Sequence, residues 1–418
     1  MVGLFLLIPE YLRLGIWDLL CGWTKCPSGK IDPRIAFQLI NEAALCVTGK
    51  RESRCLSQKG FEIANGLAFV ASDAAVHKLL DSHTVAEAQQ LQIALGKIRK
   101  ASGHYCGKLI ALDPHRSRSF TKRQMRKHIE TNSSKKTKMS QAFFVIDADT
   151  HQPICFTIGS AARTVTQVTP ELLQLSANIL NPKQKHTLAM VDAEHYTVRL
   201  IEKIVNTTNF DMLLPMPNTK SGLAKMRNIS SDFFTPHWAG YATARLPFNF
   251  KDSKLKNLYQ LVQRFGEKDY NFNRFLTTGF SDTLKNLTID FPKRWHIEEF
   301  FNKWQDVGWK RAGTLNLNIR YGQMTMALMA QAAIFQLQNR LGQPENSWNA
   351  KHFATELLAG LDGDIRVIDD SIVVTYYNAP NVDKLKTEFE NISEKLANEG
   401  INPKIPWLYD FKLKFRFK

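Results

Sequence analysis

Three acidic residues of this 418-residue chain stand where their carboxylates would meet a pair of divalent metal ions. Asp113 ends the apolar run 108–112 and Asp192 ends the apolar run 187–191, and both runs have the composition of buried β-strands. Glu298 lies in a segment with the apolar pattern of a helix. Because strand ends form the site-bearing edge of α/β sheets, the three acids together predict one carboxylate cluster, although a single strand-end aspartate more often meets solvent or a lysine. A carboxylate site with paired metals can cut and rejoin phosphodiesters by in-line displacement.

The chain carries a large excess of positive charge, with 55 Lys and Arg against 39 Asp and Glu and a formal net charge of +16. Such an excess favours polyanionic partners, either nucleic acid or an anionic membrane surface. The apolar run 2–8 is cut by Pro9 and Glu10, far short of the roughly 20 residues that a membrane span needs. The uncharged stretch 322–338 is interrupted by glutamines and predicts a buried core helix. The sequence therefore predicts no membrane partner, and nucleic acid is the favoured polyanion.

The six cysteines are scattered along the chain. Cys21 and Cys26 have four residues between them, but no second close pair and no Cys-His cluster completes a zinc tetrad. This usage predicts reduced, mostly buried thiols in a cytoplasmic protein.

Hydrophobic periodicity divides the chain into four predicted regions. Residues 1–104 predict a helical N-terminal domain, which is either a DNA-binding helix-turn-helix or a plain helical bundle. Short apolar strands and alternating helices over 105–214, with helices over 281–341, predict an α/β domain in two segments. Residues 215–280, rich in proline, asparagine and aromatic residues, predict a β-rich subdomain inserted between the second and third acids. Residues 342–418 predict an α+β tail.

Several local signals predict where elements begin and end. Thr84 and Glu87 form the pattern of a capping box at the start of a helix. The turn-rich segment 147–153 predicts the connection of a β-hairpin. Thr169-Pro170 predicts the start of a helix, because proline suits the first helical position. A single charged helix is predicted over 382–398.

The densest basic stretch of the chain directly follows Asp113, and a cationic segment beside a metal site would hold DNA phosphates near the metals. The alternative is a solvated cationic loop with no partner. The candidate DNA-binding residues of this stretch are Arg116, Arg118, Lys122, Arg123, Arg126 and Lys127, and Arg294 beside the third acid is a further candidate. Trp238 in the predicted insertion would stack on exposed bases or, more simply, fill a β core.

With these motifs the chain resembles bacterial insertion-sequence transposases of the DDE class, and the resemblance covers roughly residues 105–340. It rests on Leu-Asp113-Pro-His-Arg for the first acid, on Met-Val-Asp192-Ala-Glu-His-Tyr for the second, and on Arg294-Trp-His-Ile-Glu298 for the third. The resemblance implies a ribonuclease-H-like catalytic domain. The implied fold class is a multi-domain α/β protein with a mixed sheet and flanking helices, a helical N-terminal domain, and a β-rich insertion.

The third acid has a neighbour that competes with it. In one group of these enzymes the acid lies in a Tyr-x2-Arg-x3-Glu-x6-Lys signature. Arg294 and Glu298 fit that spacing, whereas Phe291 replaces the Tyr and Gln305 the Lys. Helix geometry turns Glu299 about 100° away from Glu298, so the spacing favours Glu298 as the ligand.

The resemblance implies a DNA transposase that cuts at the ends of an insertion element and joins those ends to target DNA. Asp113, Asp192 and Glu298 would be the catalytic and metal-binding residues, with Mg²⁺ as cofactor and Mn²⁺ as a substitute. The implied partners are double-stranded DNA, as element ends and target, and a second copy of the chain as a homodimer in the synaptic complex. The implied location is the bacterial cytoplasm, in association with the nucleoid. Two alternatives share these motifs: a metal-dependent nuclease without strand transfer, and a captured, non-catalytic DNA-binding relative.

Overall fold

The computed structural model describes residues 1–47, 58–119, 124, 127–129, 136–160, 163–182, 187–251, 253–279, 282–309 and 314–418. The chain divides into two compact units. The first comprises Met1–Arg99, Ser117–Arg123 and Phe301–Lys418, and the second comprises Lys100–Arg116 and Gln124–Phe300. The predicted division into four regions stays a prediction.

The described chain begins with helices only, up to Ala101, and strands and helices follow from Leu109 onward. The α-helices of the described residues are α1 (Ile8–Arg13), α2 (Ile16–Thr24), α3 (Arg34–Ala44), α4 (Lys59–Ala64), α5 (Asp73–Asp81), α6 (Val85–Ala101), α7 (Val165–Leu180), α8 (Val198–Thr207), α9 (Lys220–Arg227), α10 (Thr283–Lys285), α11 (His296–Trp304), α12 (Leu317–Leu341), α13 (Ala350–Phe353), α14 (Val382–Phe389) and α15 (Ile392–Asn398). The strands are β1 (Leu109–Arg118), β2 (Lys127–Ile129), β3 (Lys136–Asp147), β4 (Gln152–Ser160), β5 (Thr187–Met190), β6 (Phe210–Pro215), β7 (Thr235–Trp238), β8 (Tyr241–Phe248), β9 (Leu258–Phe265), β10 (Asn271–Thr277), β11 (Gly363–Ile368), β12 (Ser371–Tyr376) and β13 (Lys412–Phe417). Short 3-10 segments lie at Val2–Leu7, Ala193–His195, Ser231–Phe233, Phe291–Trp295, Gln305–Val307, Glu345–Ser347 and Pro406–Leu408, and π-helical turns at Asn286–Asp290 and Ala354–Ala359.

The first unit is built around α12. The uncharged stretch of this helix is buried over most of its length, which confirms the predicted core helix. α12 packs against α3 and α5. A Cβ atom on Gly322 would lie 2.6 Å from Leu80 Cδ2, so the glycine permits α12 and α5 to approach closely. Within the described part of the chain, no helix has the length and apolar character needed to cross a lipid bilayer.

Two element boundaries of the first unit bear on the predictions. The capping box at the start of α6 is confirmed, because the Thr84 N–H donates to Glu87 Oε2 at 2.7 Å and the Glu87 N–H donates to Thr84 Oγ1 at 3.2 Å. The single helix predicted over 382–398 is wrong, because α14 and α15 are separate helices. Asn391 between them has φ +52°, a left-handed conformation that asparagine tolerates and that ends a helix.

The second unit contains one large mixed sheet with the order β2-β3-β1-β5-β6-β10-β9-β8-β7, and β4 pairs with β3 outside this path. β3 and β4 form an antiparallel hairpin, whereas β1–β5 and β5–β6 are parallel pairs. Parallel neighbours need a crossover, and α7 and α8 occupy the connections that lead into β5 and β6. This arrangement of a hairpin followed by alternating helices and strands confirms the α/β fold class and the ribonuclease-H-like sheet.

The segment predicted as a β-rich insertion, between the second and third acids, contains the four strands β7 to β10. Its strands continue the main sheet, because β10 pairs antiparallel with β6 and then with β9. The insertion also has a small core of its own, which accounts for the many apolar and aromatic residues in a segment that is also rich in proline and asparagine. The buried members of this core are Met226, Phe234, Ala242, Ala244, Val262 and Phe272.

The start of α7 differs from the prediction. The helix begins at Val165, and Pro170 lies inside it rather than at its first position. A capping box formed by Thr164 and Gln167 satisfies the first backbone N–H groups, so these polar side chains and not the proline set the start.

The five described cysteines are free thiols of mixed exposure, so the expectation that they are mostly buried holds for only part of them. Cys46 and Cys155 are buried, Cys21 and Cys26 are partly buried, and Cys106 is exposed. Cys55 lies outside the described residues.

Candidate active site

The first candidate acid does not end its strand. β1 continues from Asp113 to Arg118, whereas its parallel pairing with β5 covers only Leu109–Ala111. Asp113 therefore lies just beyond the part of β1 that pairs with β5, and it is itself partly buried. The prediction of a strand end was wrong because an apolar run marks only the buried part of a strand, and an exposed part continues with polar residues.

The second candidate acid follows β5 by two residues and caps the 3-10 turn Ala193–His195. Its Oδ1 accepts a hydrogen bond from the Glu194 N–H at 2.5 Å, which holds the side chain in place. Because β1 and β5 are parallel, Asp113 and Asp192 emerge at the same edge of the sheet.

His195 lies beside this second acid but is buried within the unit. One ring nitrogen, Nε2, lies 3.0 Å from Thr169 Oγ1 on α7. Burial lowers the pKa of His195 to about 4, against the opposing charge of Asp192. The ring is therefore neutral near pH 7, which suits a structural histidine rather than a cationic DNA contact.

The third candidate acid lies in the first turn of α11. Glu298 and Glu299 are both exposed, and they face different neighbours. The charge of Glu298 raises the pKa of Asp113, whereas Glu299 Oε2 lies 3.4 Å from His151 Nδ1. Adjacent helical residues point about 100° apart, so the two glutamates in the first turn of α11 face two separate groups of side chains.

The pKa of Asp113 depends on the charges of the other candidate residues. It is raised from 3.8 to about 7, chiefly by burial and also by the negative charges of Asp192 and Glu298, whereas the guanidinium groups of Arg294 and Arg116 lower it. The charges of both other acids and of both arginines therefore act on the Asp113 carboxyl. Carboxylate oxygens are the ligands that hard divalent cations prefer, so the three acids are candidates for a metal site.

The predicted DNA-binding residues of the basic stretch are exposed wherever the structure describes them. Arg116 is exposed, and its Nη2 lies 3.9 Å from Glu194 Oε1. Arg118 and Lys127 are exposed as well. Lys122, Arg123 and Arg126 lie outside the described residues.

Arg294 lies in the 3-10 segment that runs directly into α11, and Glu298 lies in the first turn of that helix. Its guanidinium is partly buried, with Cζ 5.0 Å from the centre of the Trp295 ring, and its charge lowers the pKa of Asp113. This position suits a partner of the first acid.

Trp238 differs from the β-core expectation. The side chain is 56% exposed and lies on β7 at the edge of the sheet. It stacks on Tyr241 with ring centres 4.3 Å apart and ring planes 10° from parallel. Trp238 therefore covers the buried ring of Tyr241 and is itself exposed to solvent.

Sequence reasoning missed the residues that support the start of α11. The β3–β4 turn lies beside this helix, because His296 Nδ1 donates to the Ala148 carbonyl at 2.6 Å and Lys293 Nζ lies 2.6 Å from Asp149 Oδ1. The turn itself was predicted from its composition. Its contact with a helix far along the chain has no local signal, because such contacts depend on the tertiary fold.

The buried carboxylate of Asp147 organises this turn. Oδ2 accepts from the Gly107 N–H at 2.7 Å, and Oδ1 accepts from the Asp149 and Thr150 N–H groups at 3.1 and 3.0 Å. Replacing Asp147 by Ala removes these acceptors from a buried position and leaves three backbone N–H groups in partly buried surroundings unpaired. We expect the free energy of unfolding, measured by chemical denaturation, to fall by about 2–4 kcal/mol.

Asp149 provides the matched control on the same turn. Its carboxylate is partly exposed and pairs with Lys293, so Asp149→Ala is expected to cost no more than about 1 kcal/mol. Equal losses in the two variants would contradict the structural role of Asp147.

Comparison with known proteins adds a family assignment. Residues 104–332, more than half of the chain, match the family model described as "Transposase DDE domain". Among solved structures, a cryo-EM structure of a piggyBac transposase synaptic complex with hairpin DNA is similar over 78% of this chain and 70% of that chain, with 11% sequence identity and a TM-score of 0.42. No curated protein matches the chain.

Proposed function

Because the chain belongs to the family of DDE-domain transposases, we propose that it cuts DNA at the ends of an insertion element and joins those ends to target DNA. The observation that carries the proposal is the electrostatic coupling of Asp113 to Asp192 and Glu298. Two of these acids emerge at one edge of the sheet and the third comes from α11. The proposal assigns carboxylates from these three separate segments to one site, because phosphodiester transfer with paired metal ions uses such a group of carboxylates.

We propose that Asp113, Asp192 and Glu298 hold divalent metal ions, with Mg²⁺ as the natural ion and Mn²⁺ as a substitute. The donor set fits, because it consists of carboxylate oxygens, which Mg²⁺ prefers over nitrogen. When bound, a pair of such ions supplies Lewis acidity that activates an attacking hydroxyl and stabilises the leaving oxygen. The pKa of Asp113 near 7 means that the metal-free site keeps a proton that a cation displaces.

The side chains of the site have separable tasks in this proposal. The backbone N–H of Glu194 fixes the Asp192 carboxylate, and α11 presents Glu298 from its first turn. Arg294 favours the ionised form of Asp113, since its charge opposes the effect of burial. Arg116 is exposed, and its charge lowers the pKa of Asp113. The proposal assigns it to binding a DNA phosphate.

The DNA contact is testable through the salt dependence of binding. Replacing Arg116 by Ala is expected to weaken DNA binding and to make the plot of log affinity against log salt concentration shallower by about 0.9 for one lost phosphate contact. Fluorescence anisotropy with a labelled duplex at several salt concentrations measures both changes.

Arg366 serves as the matched control for Arg116. It is exposed on β11 and also has a carboxylate neighbour, with Nη2 3.2 Å from Asp364 Oδ2. Arg366→Ala is expected to leave the salt slope unchanged. If both variants change the slope equally, Arg116 contributes only net charge and the proposed contact is wrong.

A homodimer that holds both element ends is part of the proposal, because joining two ends to one target requires them to be kept together. Light scattering of the chain with short end duplexes is expected to give a complex of two copies and two duplexes. A mass of one copy and one duplex at all concentrations would exclude this arrangement. The proposal also places the protein on chromosomal DNA.

The reaction itself separates transposition from the alternatives. The full chain is incubated with Mg²⁺, DNA carrying both element ends, and a target plasmid, and the products are resolved on denaturing gels. Joined end–target products are expected. Cuts without joining would instead establish a nuclease, and binding without cuts would establish a non-catalytic relative.

A further inference from the structure

A second group of candidate metal ligands lies at the start of α11, separate from the three acids. One ring nitrogen each of His151 and His296 and one carboxylate oxygen of Glu299 all lie within 4.8 Å of one another. The three side chains are partly or fully exposed, so an ion from solvent has access to them. None of the three belongs to the candidate catalytic set.

One of the two histidines is already held as a metal ligand would be. His296 Nδ1 lies 2.6 Å from the Ala148 carbonyl oxygen, and a carbonyl only accepts hydrogen bonds, so Nδ1 carries the proton. The lone pair is therefore on Nε2. Histidines that bind metals usually donate their other N–H to a carbonyl or carboxylate in this manner, which fixes the tautomer and the ring orientation.

The remaining two ligands meet with suitable spacing. His151 Nδ1 lies 3.4 Å from Glu299 Oε2. Two ligand atoms bound to one tetrahedral zinc ion at ordinary bond lengths are separated by about 3.4 Å. The ring of His151 lies beside that of His296, with ring centres 3.9 Å apart. His151 itself has φ +57°, so the β3–β4 turn holds this residue in a left-handed conformation.

We propose that His151, His296 and Glu299 bind a Zn²⁺ ion, with the fourth position open to solvent. Two imidazoles and one carboxylate suit zinc, whereas Mg²⁺ prefers an all-oxygen set. The ion would join the β3–β4 turn to the first turn of α11, the turn that also carries Glu298. The binding itself does not depend on the proposed transposase activity.

A neighbouring group shows why this set is favoured. Ligand atoms of Cys106, Asp147 and Asp149 also lie within 4.8 Å of one another. Both oxygens of Asp147 already accept hydrogen bonds, and Asp149 is paired with Lys293. A metal there would have to displace these interactions, whereas His296 keeps its carbonyl bond when Nε2 binds zinc.

The test is a titration of the metal-free full chain with Zn²⁺ in excess Mg²⁺, which occupies carboxylate sites. Isothermal titration calorimetry is expected to show one zinc ion bound in the wild type. Losing a residue that only holds a metal ligand in place typically weakens metal affinity by about 10–100-fold. Losing a ligand itself should have a larger effect, so His151→Ala, His296→Ala and Glu299→Gln should each weaken zinc affinity by at least about 100-fold. Melting temperatures without zinc show whether each variant folds.

His77→Ala is the matched control, because His77 is exposed on α5 and belongs to neither group of ligands. It should bind zinc as the wild type does. Co²⁺ in place of Zn²⁺ adds a second readout, since a four-coordinate site with these ligands gives visible absorption without the sulfur-to-metal bands of cysteine. The proposal is overturned if the wild type binds no zinc, if folded ligand variants retain wild-type affinity, or if the cobalt spectrum shows cysteine ligation. The first of these results would make the His151–Glu299 contact a simple surface ion pair.

Discussion

Replacing Asp113 by Asn is expected to reduce Mg²⁺-dependent DNA cleavage by at least about 10³-fold. The same loss is expected for Asp192→Asn and Glu298→Gln. Each substitution removes a negative oxygen ligand but keeps the shape of the side chain, and metal ions supply several kcal/mol of transition-state stabilisation. A loss of about 4 kcal/mol corresponds to a factor of about 10³ in rate. Single-turnover cleavage of a labelled duplex measures the effect without interference from product release.

DNA binding is expected to survive these three substitutions. Each one removes a negative charge near the backbone phosphates, so affinity should stay the same or rise slightly in anisotropy measurements. The adjacent acid gives the sharpest contrast, because Glu299 faces His151 rather than Asp113. Glu299→Gln is expected to cleave within a few-fold of the wild type in Mg²⁺ alone. Retained cleavage in any of the three site variants would show that the replaced residue is not part of the site. If Glu299→Gln lost cleavage while Glu298→Gln retained it, Glu299 would be the third acid instead of Glu298.

The second large effect is a dependence of metal binding on pH. The pKa of Asp113 is raised from its usual 3.8 to about 7, first by burial and then by the charges of Asp192 and Glu298. Divalent metal must displace the proton, so Mg²⁺ affinity and cleavage at low Mg²⁺ should rise about tenfold per pH unit below about 7 and level off above it. Glu298→Gln should shift the midpoint of metal binding to lower pH, whereas Arg294→Ala should shift it to higher pH.

The same shift affects the stability of the metal-free protein with a defined sign. A carboxyl group whose pKa is higher in the folded state binds its proton more tightly there, so the stabilisation is complete below about pH 4 and is lost as the pH rises through about 7. The loss is at most about 4 kcal/mol, since one pKa unit corresponds to about 1.36 kcal/mol. Asp113→Asn is expected to flatten this part of the curve in chemical denaturation at several pH values. An unchanged curve in that variant would contradict the raised pKa.

Much of the fold was accessible from the sequence because the buried strands are apolar and short. The strands predicted from the apolar runs 108–112 and 187–191 both occur, and so does the hairpin predicted around 147–153. Element ends were harder to predict. Asp113 lies within β1, because polar residues extend the strand past its buried part, and α7 begins before Pro170 because Thr164 and Gln167 cap it.

The candidate site could be predicted from the sequence only in part, because some of its contacts join segments that are far apart in the chain. The spacing of Arg294 and Glu298 indicated which glutamate to choose; the charge of Glu298 raises the pKa of Asp113, whereas Glu299 Oε2 lies 3.4 Å from His151 Nδ1. His151 had no local signal, because its contacts with α11 join segments far apart in the chain. Arg294 illustrates the same limit, since its charge suggested DNA whereas its position beside Asp113 depends on the packing of a 3-10 turn.

The most direct test of the central claim is the position of bound metal. Crystals of the chain grown with Mn²⁺ and a short duplex allow the ions to be located by anomalous scattering. We expect anomalous density between the carboxylates of Asp113, Asp192 and Glu298, with all three as ligands. Density that lies elsewhere, or that is coordinated without one of these three carboxylates, would contradict the assignment of this site.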